Sequence, residues 1–315
     1  MNENMPYTSN PDINYDVATR DFKYYIFDWD DNILHMPTKI HLEEQDERGL
    51  WRSVEVSTSV FAIVRGDPRY RMPPGGRDEA FREFKDVVDD AGDISFIRDT
   101  KAALQRVKNG EKPGPSFQTL RKTLREGRIF AIVTARGHAS DTLREAVKIF
   151  IDEVLSPDER NDMMRSLRGY RWWLDRKTEF GTDEEELDYY LSMCRYHAVT
   201  NPEFFDQMKR DDDFGGRYAE ASSSQRPELA KEFAIRDFVE HVFHVLQRTG
   251  GLGRPVSVGF SDDDAGNVKA VSDYIRGELV KRFRGFKFVV YDTSDASLDK
   301  GRKVTVAGQL SLPGF

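Results

Sequence analysis

Lys23-Tyr-Tyr-Ile-Phe27 runs without a break into Asp28-Trp-Asp-Asp-Asn32. A short apolar, aromatic run cut off by a polar cluster predicts a strand buried on both faces of a parallel sheet. Three later stretches repeat the pattern. Ile129-Phe-Ala-Ile-Val133 precedes Thr134-Ala-Arg-Gly137, Pro255-Val-Ser-Val-Gly-Phe260 precedes Ser261-Asp-Asp-Asp264, and Phe286-Lys-Phe-Val-Val-Tyr291 precedes Asp292-Thr-Ser294. Polar groups at the carboxyl ends of several strands are how open α/β sheets build a ligand crevice.

Helical periodicity fills much of the chain between these runs. Phe117, Leu120 and Leu124 mark a helix over 116–126 that stops at Gly127; 140–155, 227–246 and 265–283 carry similar stripes. Strand-then-helix alternation predicts an α/β protein with a Rossmann-like, doubly wound parallel sheet. The core then comprises 21–34, 116–155 and 227–300, with polar tails at 1–20 and 301–315. Two intervals stand outside the alternation. The first, 35–115, holds a hairpin-like pair at 38–42 and 51–57, then helical segments near 78–90 and 97–107. The second, 156–226, is mixed, with a weak strand signal at 193–200. Inserts of that length are expected to form caps over the crevice.

Composition narrows the class. The 315 residues are 38% hydrophobic and 12% aromatic, enough for a sizeable core, and no run approaches the roughly 18 apolar residues of a membrane span. The first 19 residues lack the basic start and apolar stretch of a secretory signal. One cysteine, Cys194, excludes an intramolecular disulfide and a cysteine-based structural zinc site, so a reducing, cytoplasmic setting is expected. A net charge of −8 disfavours broad binding to nucleic-acid backbones. The six histidines have no metal-ligand spacing.

The strand ends collect carboxylates. Asp28 and Asp30, two apart, face one crevice; Thr134 ends the second run and Asp262, Asp263 and Asp264 end the third. Clustered carboxylates repel and call for a cation, and without soft ligands a hard ion such as Mg²⁺ is the natural partner. A hydroxyl and an ammonium beside such an ion are what a transferring phosphoryl group requires.

In this order the motifs resemble those of the haloacid dehalogenase superfamily of aspartate-dependent phosphohydrolases. The first motif stands as Tyr24-Tyr-Ile-Phe-Asp28-Trp-Asp30-Asp-Asn32-Ile-Leu34, the second as Ala131-Ile-Val-Thr134, and the fourth as Val258-Gly-Phe-Ser-Asp262-Asp263-Asp264-Ala-Gly-Asn267. The third, a lysine opening the helix before the last strand, is matched by Lys231, with Lys209 as the reserve. Asn32 departs from the usual Thr or Val. The resemblance covers about half of the chain and neither insert. It implies that Asp28 is the nucleophile, forming an aspartyl-phosphate, and that Asp30 is the general acid and base. It also implies that Asp263 holds Mg²⁺ with Asp28 and the Asp30 carbonyl, Asp262 and Asn267 standing nearby. Thr134 and Lys231 would grip the phosphate, and Arg136, beside Thr134, is a further candidate for substrate binding. The expected activity is hydrolysis of a small phosphomonoester.

Each feature has a plainer reading. Asp28 and Asp30 could form a helix cap or turn, and Asp262–Asp264 could cap a helix start. The basic, aromatic stretch 165–177 reads better as a helix packing Trp172 and Trp173 on the core than as a nucleic-acid contact, and the Pro/Gly-rich stretch 65–77 as an exposed loop. Two rival functions remain: a phosphatase of nucleic-acid ends, disfavoured by the acidic charge, and a protein that keeps the fold for binding without turnover.

Overall fold

The computed structural model describes residues 10–88, 92–222, 225–295, 298 and 301–307. The strands are β1 (Phe22–Phe27), β2 (Ile40–Gln45), β3 (Trp51–Val56), β4 (Tyr70–Arg71), β5 (Phe130–Thr134), β6 (Arg195–Ala198), β7 (Val256–Asp262), β8 (Phe286–Asp292) and β9 (Arg302–Ala307). Six form one sheet in the order β6-β5-β1-β7-β8-β9, all parallel except β9. The chain moves from β1 through β5 to β6 on one side, then returns to β7 and β8 on the other. The order therefore reverses between β1 and β7, where open α/β sheets leave their crevice.

Alternation along the strands divides the core. Phe22, Tyr24 and Ile26 of β1, with Val256, Val258 and Phe260 of β7, pack against the Arg226–Arg248 and Ala265–Tyr274 helices. Phe27, Phe130 and Ile132 face the opposite way, into helices Ser95–Lys108, Phe117–Arg125 and Ser140–Val154. That second layer covers β6, β5 and β1. Over β7 and β8 the helices of that layer do not pack, yet Gly259, Ser261 and Val289 are still buried there, and only Ser257, Lys287 and Tyr291 are part-exposed on that face.

The inserts differ from expectation. Within 156–226, the helices Pro157–Asp175 and Asp183–Met193 are part of the core, contributing Met163, Leu167, Tyr190 and Leu191 to the layer against β5. Trp173 stacks on Phe22 at 5.6 Å. β6, from the weak signal at 193–200, joins the main sheet. The first insert forms its own sheet, β3-β2-β4, with Ile40, Leu42 and Phe84 beneath it. Its expected helix at 78–90 is instead a short helix, Gly76–Ala80, and a 3-10 turn, Arg82–Phe84, while residues 89 and 90 lie outside the described set.

Neither tail is wholly a tail. Ile13 and Val17 are buried, and the Asn14 amide donates to the Arg165 carbonyl at 2.9 Å; Gly169 permits this approach, since a Cβ there would sit 2.1 Å from the Asn14 oxygen. β9 forms an edge of the sheet, pairing antiparallel with β8 across a register shift between Phe288 and Val289; 308–315 lie outside the described residues. Among the described residues no helix is long and apolar enough to cross a membrane.

Candidate active site

β1 and β7 end side by side, Phe27 opposite Ser261, and the Asp28 amide donates to the Ser261 carbonyl at 3.1 Å. This brings Asp28 beside Asp262, although 234 positions separate them in the chain. Lys231, in the second turn of the Arg226–Arg248 helix, reaches between them. Its Nζ lies 2.6 Å from Asp262 Oδ2 and 3.2 Å from Asp28 Oδ1, and all three residues are buried. Lys209 is elsewhere, half-exposed and paired with Asp206 at 2.8 Å, so the reserve assignment drops out.

The three consecutive aspartates divide their work. Asp262 Oδ2 is taken by Lys231, and its Oδ1 accepts from the Asp264 amide at 2.9 Å and from Asn267 Nδ2 at 3.2 Å. With both oxygens engaged, Asp262 anchors the lysine and is not an open ligand. Asp264 caps the Ala265–Tyr274 helix, accepting from the Gly266 and Asn267 amides. Asp263 remains, and its carboxyl is pushed up to about 8 by burial, then by Asp262 and Asp31. Asp28 is also raised well above the usual carboxylate range: burial is the main cause, Lys231 works against it, and Asp262, Asp263 and Asp30 add to it. Burial pulls the Lys231 ammonium down, but Asp262 and Asp28 outweigh that and hold it charged.

The second strand end gives a correction. Thr134 Oγ1 donates to Asp30 Oδ2 at 3.4 Å. Arg136 does not face a substrate. It is fully buried, donates through Nε (2.8 Å) and Nη2 (2.6 Å) to the two oxygens of Asp30, and lies between the rings of Phe84 and Phe96 at 4.5 and 4.9 Å. Nη2 also donates to Thr38 Oγ1, which itself donates to Asp99 at 2.5 Å. A guanidinium clamped in this way positions Asp30. Thr38, Phe84 and Phe96 all come from the first insert, so that insert helps to build the site.

The roles of two further residues escaped the sequence reading. Asn32 is fully buried: its Nδ2 donates to the Asp28 carbonyl and Ser261 Oγ, each at 3.0 Å, while Oδ1 accepts from Thr293 Oγ1 at 3.0 Å. It thus ties the ends of β1, β7 and β8 together, which explains an amide where the motif usually has Thr or Val. Asp31, at φ 52, takes hydrogen bonds from Thr58 (2.7 Å) and His35 (2.8 Å). Burial alone would raise the Asp31 carboxyl, but those hydrogen bonds hold it below its ordinary value. The sequence signal was present in both cases, a polar residue inside a strand-end motif, but its partners are remote in the chain.

Asp28, Asp262 and Asp263 set three carboxylates against one ammonium, a surplus of two negative charges. Burial first, and then the neighbouring carboxylates, raise Asp28 and Asp263, and a divalent cation would offset the crowded negative charge. Among the described residues no group of three or more His, Cys, Asp or Glu side chains is arranged to hold a metal ion. Mg²⁺ typically takes one or two protein carboxylates and keeps several waters, so the donors fit it. No protein-family model, curated protein or solved structure matches the chain.

Proposed function

We propose that this protein is a Mg²⁺-dependent phosphohydrolase of the haloacid dehalogenase type, cleaving a phosphomonoester through an aspartyl-phosphate on Asp28. The observation that carries the reading is the meeting of Asp28, Lys231 and the Asp262–Asp263 pair at the reversal point of the sheet. In this reading an Asp28 oxygen attacks phosphorus, forming a P–O bond as the alkoxide leaves. Lys231 neutralises phosphate oxygens from one side, Thr134 donates to one from the other, and Asp30 handles protons at the leaving oxygen and the attacking water. Asp28, Asp263 and the Asp30 carbonyl would hold Mg²⁺, which supplies charge neutralisation and in-line orientation.

The test is turnover of p-nitrophenyl phosphate and a panel of nucleotides and sugar phosphates, with Mg²⁺ and with EDTA. Asp28→Asn is expected to abolish hydrolysis while circular dichroism stays that of the parent; activity retained in Asp28→Asn refutes the nucleophile assignment. One observation favours a second reading, a binding protein without turnover. The Arg136 clamp occupies both oxygens of Asp30, the residue that must move protons. No Mg²⁺-dependent turnover across the whole panel would select that reading.

A further inference from the structure

On the face turned away from the Arg226–Arg248 helix, the part of the sheet formed by β1, β7, β8 and β9 carries two adjoining clefts of about 610 and 350 Å³ that share Tyr25 and Tyr291. Neither is lined by Asp28, Lys231 or Asp262. Strand register explains the shape. Lys23, Ser257 and Lys287 lie side by side on β1, β7 and β8, as do Tyr25, Gly259 and Val289, and then Phe27, Ser261 and Tyr291. The middle column is small throughout, so a trough runs along β7 from Ser257 to Ser261, about 13 Å long at roughly 3.3 Å per residue. Both tyrosine rings lean in over Gly259, where a Cβ would come within 3.0 Å of Tyr25 and 3.3 Å of Tyr291.

The lining is basic although the protein is acidic. Lys23, Lys112, Lys122, Lys287 and Lys303 border the clefts, and Asp21 is the one carboxylate among the described lining residues. Lys23 and Lys122 have long surface pairs, with Asp21 at 3.6 Å and Glu126 at 3.7 Å. Among the described residues Lys287 and Lys303 have no ion pair, and the Tyr25 and Tyr291 hydroxyls make no hydrogen bond.

We infer that this trough is a docking surface for single-stranded nucleic acid. Lysines track a phosphate backbone, and half-buried tyrosines give bases a surface to stack on, a combination that tolerates any sequence. An acidic peptide would use the lysines but leave the aromatic walls idle. The clefts reach Phe27 and Ser261, next to the ends of β1 and β7, but none of Asp28, Lys231 and Asp262 lines them, so the inference stands whether or not the protein hydrolyses phosphate.

The test is fluorescence anisotropy of labelled oligo-dT and oligo-rU with the full chain, from 50 to 300 mM salt. Binding to either is expected. Lys287→Glu/Lys303→Glu should weaken it about tenfold at 100 mM salt and make the slope of log K against log salt shallower by about 1.4, the release expected for two lost phosphate contacts. That variant should retain the parent's circular dichroism and any p-nitrophenyl phosphate turnover. Tyr25→Leu should weaken binding with the slope unchanged, which identifies stacking. Absent binding at 50 mM salt, or binding that ignores the double substitution, overturns the inference. So does polyglutamate displacing the oligonucleotide at equal charge concentration, which would assign an acidic protein partner. Sedimentation showing a dimer that the double substitution dissociates would assign the trough to a second copy.

Discussion

Replacing Lys231 with methionine keeps most of the side-chain volume and removes the charge between Asp28 and Asp262. At an effective dielectric of about 20, contacts of 2.6 and 3.2 Å correspond to about 6 and 5 kcal/mol of attraction. Desolvating the ammonium offsets several kcal/mol of this, and removing one partner from a buried ion pair costs about 3–5 kcal/mol in practice. Against a typical stability of about 5–15 kcal/mol that loss is large. It also has a pH signature. Without the ammonium Asp28, already raised by burial, loses the neighbour that lowers it and stands further above its unfolded value near 4. The native variant then keeps protons that the unfolded chain releases, so its stability falls as pH rises from about 4. Urea unfolding followed by tryptophan fluorescence, without Mg²⁺, should give a Lys231→Met deficit of about 3–5 kcal/mol at pH 8 and a smaller one at pH 5. A deficit below about 1 kcal/mol at pH 8, or an equal one at both pH values, would refute the reasoning: Lys231 would then be neither buried nor shared as the distances require.

Other consequences follow from the same charges. Asp263, pushed up to about 8, and the raised Asp28 give the metal-free protein stability that is complete below about pH 4 and lost as pH rises through 8. Mg²⁺ should therefore raise the melting temperature more at pH 8 than at pH 5, and a melting temperature insensitive to EDTA at pH 8 would count against a divalent site. His241 is brought down to about 4 by burial and by the neighbouring Arg195. Its folded-state pKa is depressed, so the unfolded chain binds the proton first and stability declines as pH falls from about 6.5 to 4, by up to about 3 kcal/mol. His241→Gln should flatten that limb of the pH–stability curve. Arg136→Leu should cost about 3–5 kcal/mol by leaving the Asp30 carboxylate without its clamp, whereas adding Asp30→Asn to it should recover part of the loss, measured as a double-mutant cycle by thermal unfolding.

The parts of the site that the sequence declared are those whose cause is local. An apolar run ending in Asp28, another ending in Thr134 and a third ending in Asp262–Asp264 are each complete within about ten residues, and parallel pairing brings such ends together with no further information. Lys231 was legible for a similar reason, since an early turn of the helix before β7 lies at the same end of the sheet. The role of Arg136 was not legible, because its clamp needs Thr38, Phe84 and Phe96, whose spacing carries no period that links them to β5. Nearness to Thr134 suggested a phosphate contact; full burial between two rings makes Arg136 the partner of Asp30. The pattern Val256-Ser-Val-Gly-Phe260 was read by its apolar residues as a strand buried on both sides, although its small residues fall strictly on alternate positions. Alternation of large apolar with small residues puts most of the side-chain volume of β7 on one face and leaves a shallow column on the other. The uncovered trough along β7 follows from that alternation, and so do the basic residues that border it: where no helix lies over a sheet, lysines on its flanking strands keep their contact with water, and with whatever anion comes to lie along it.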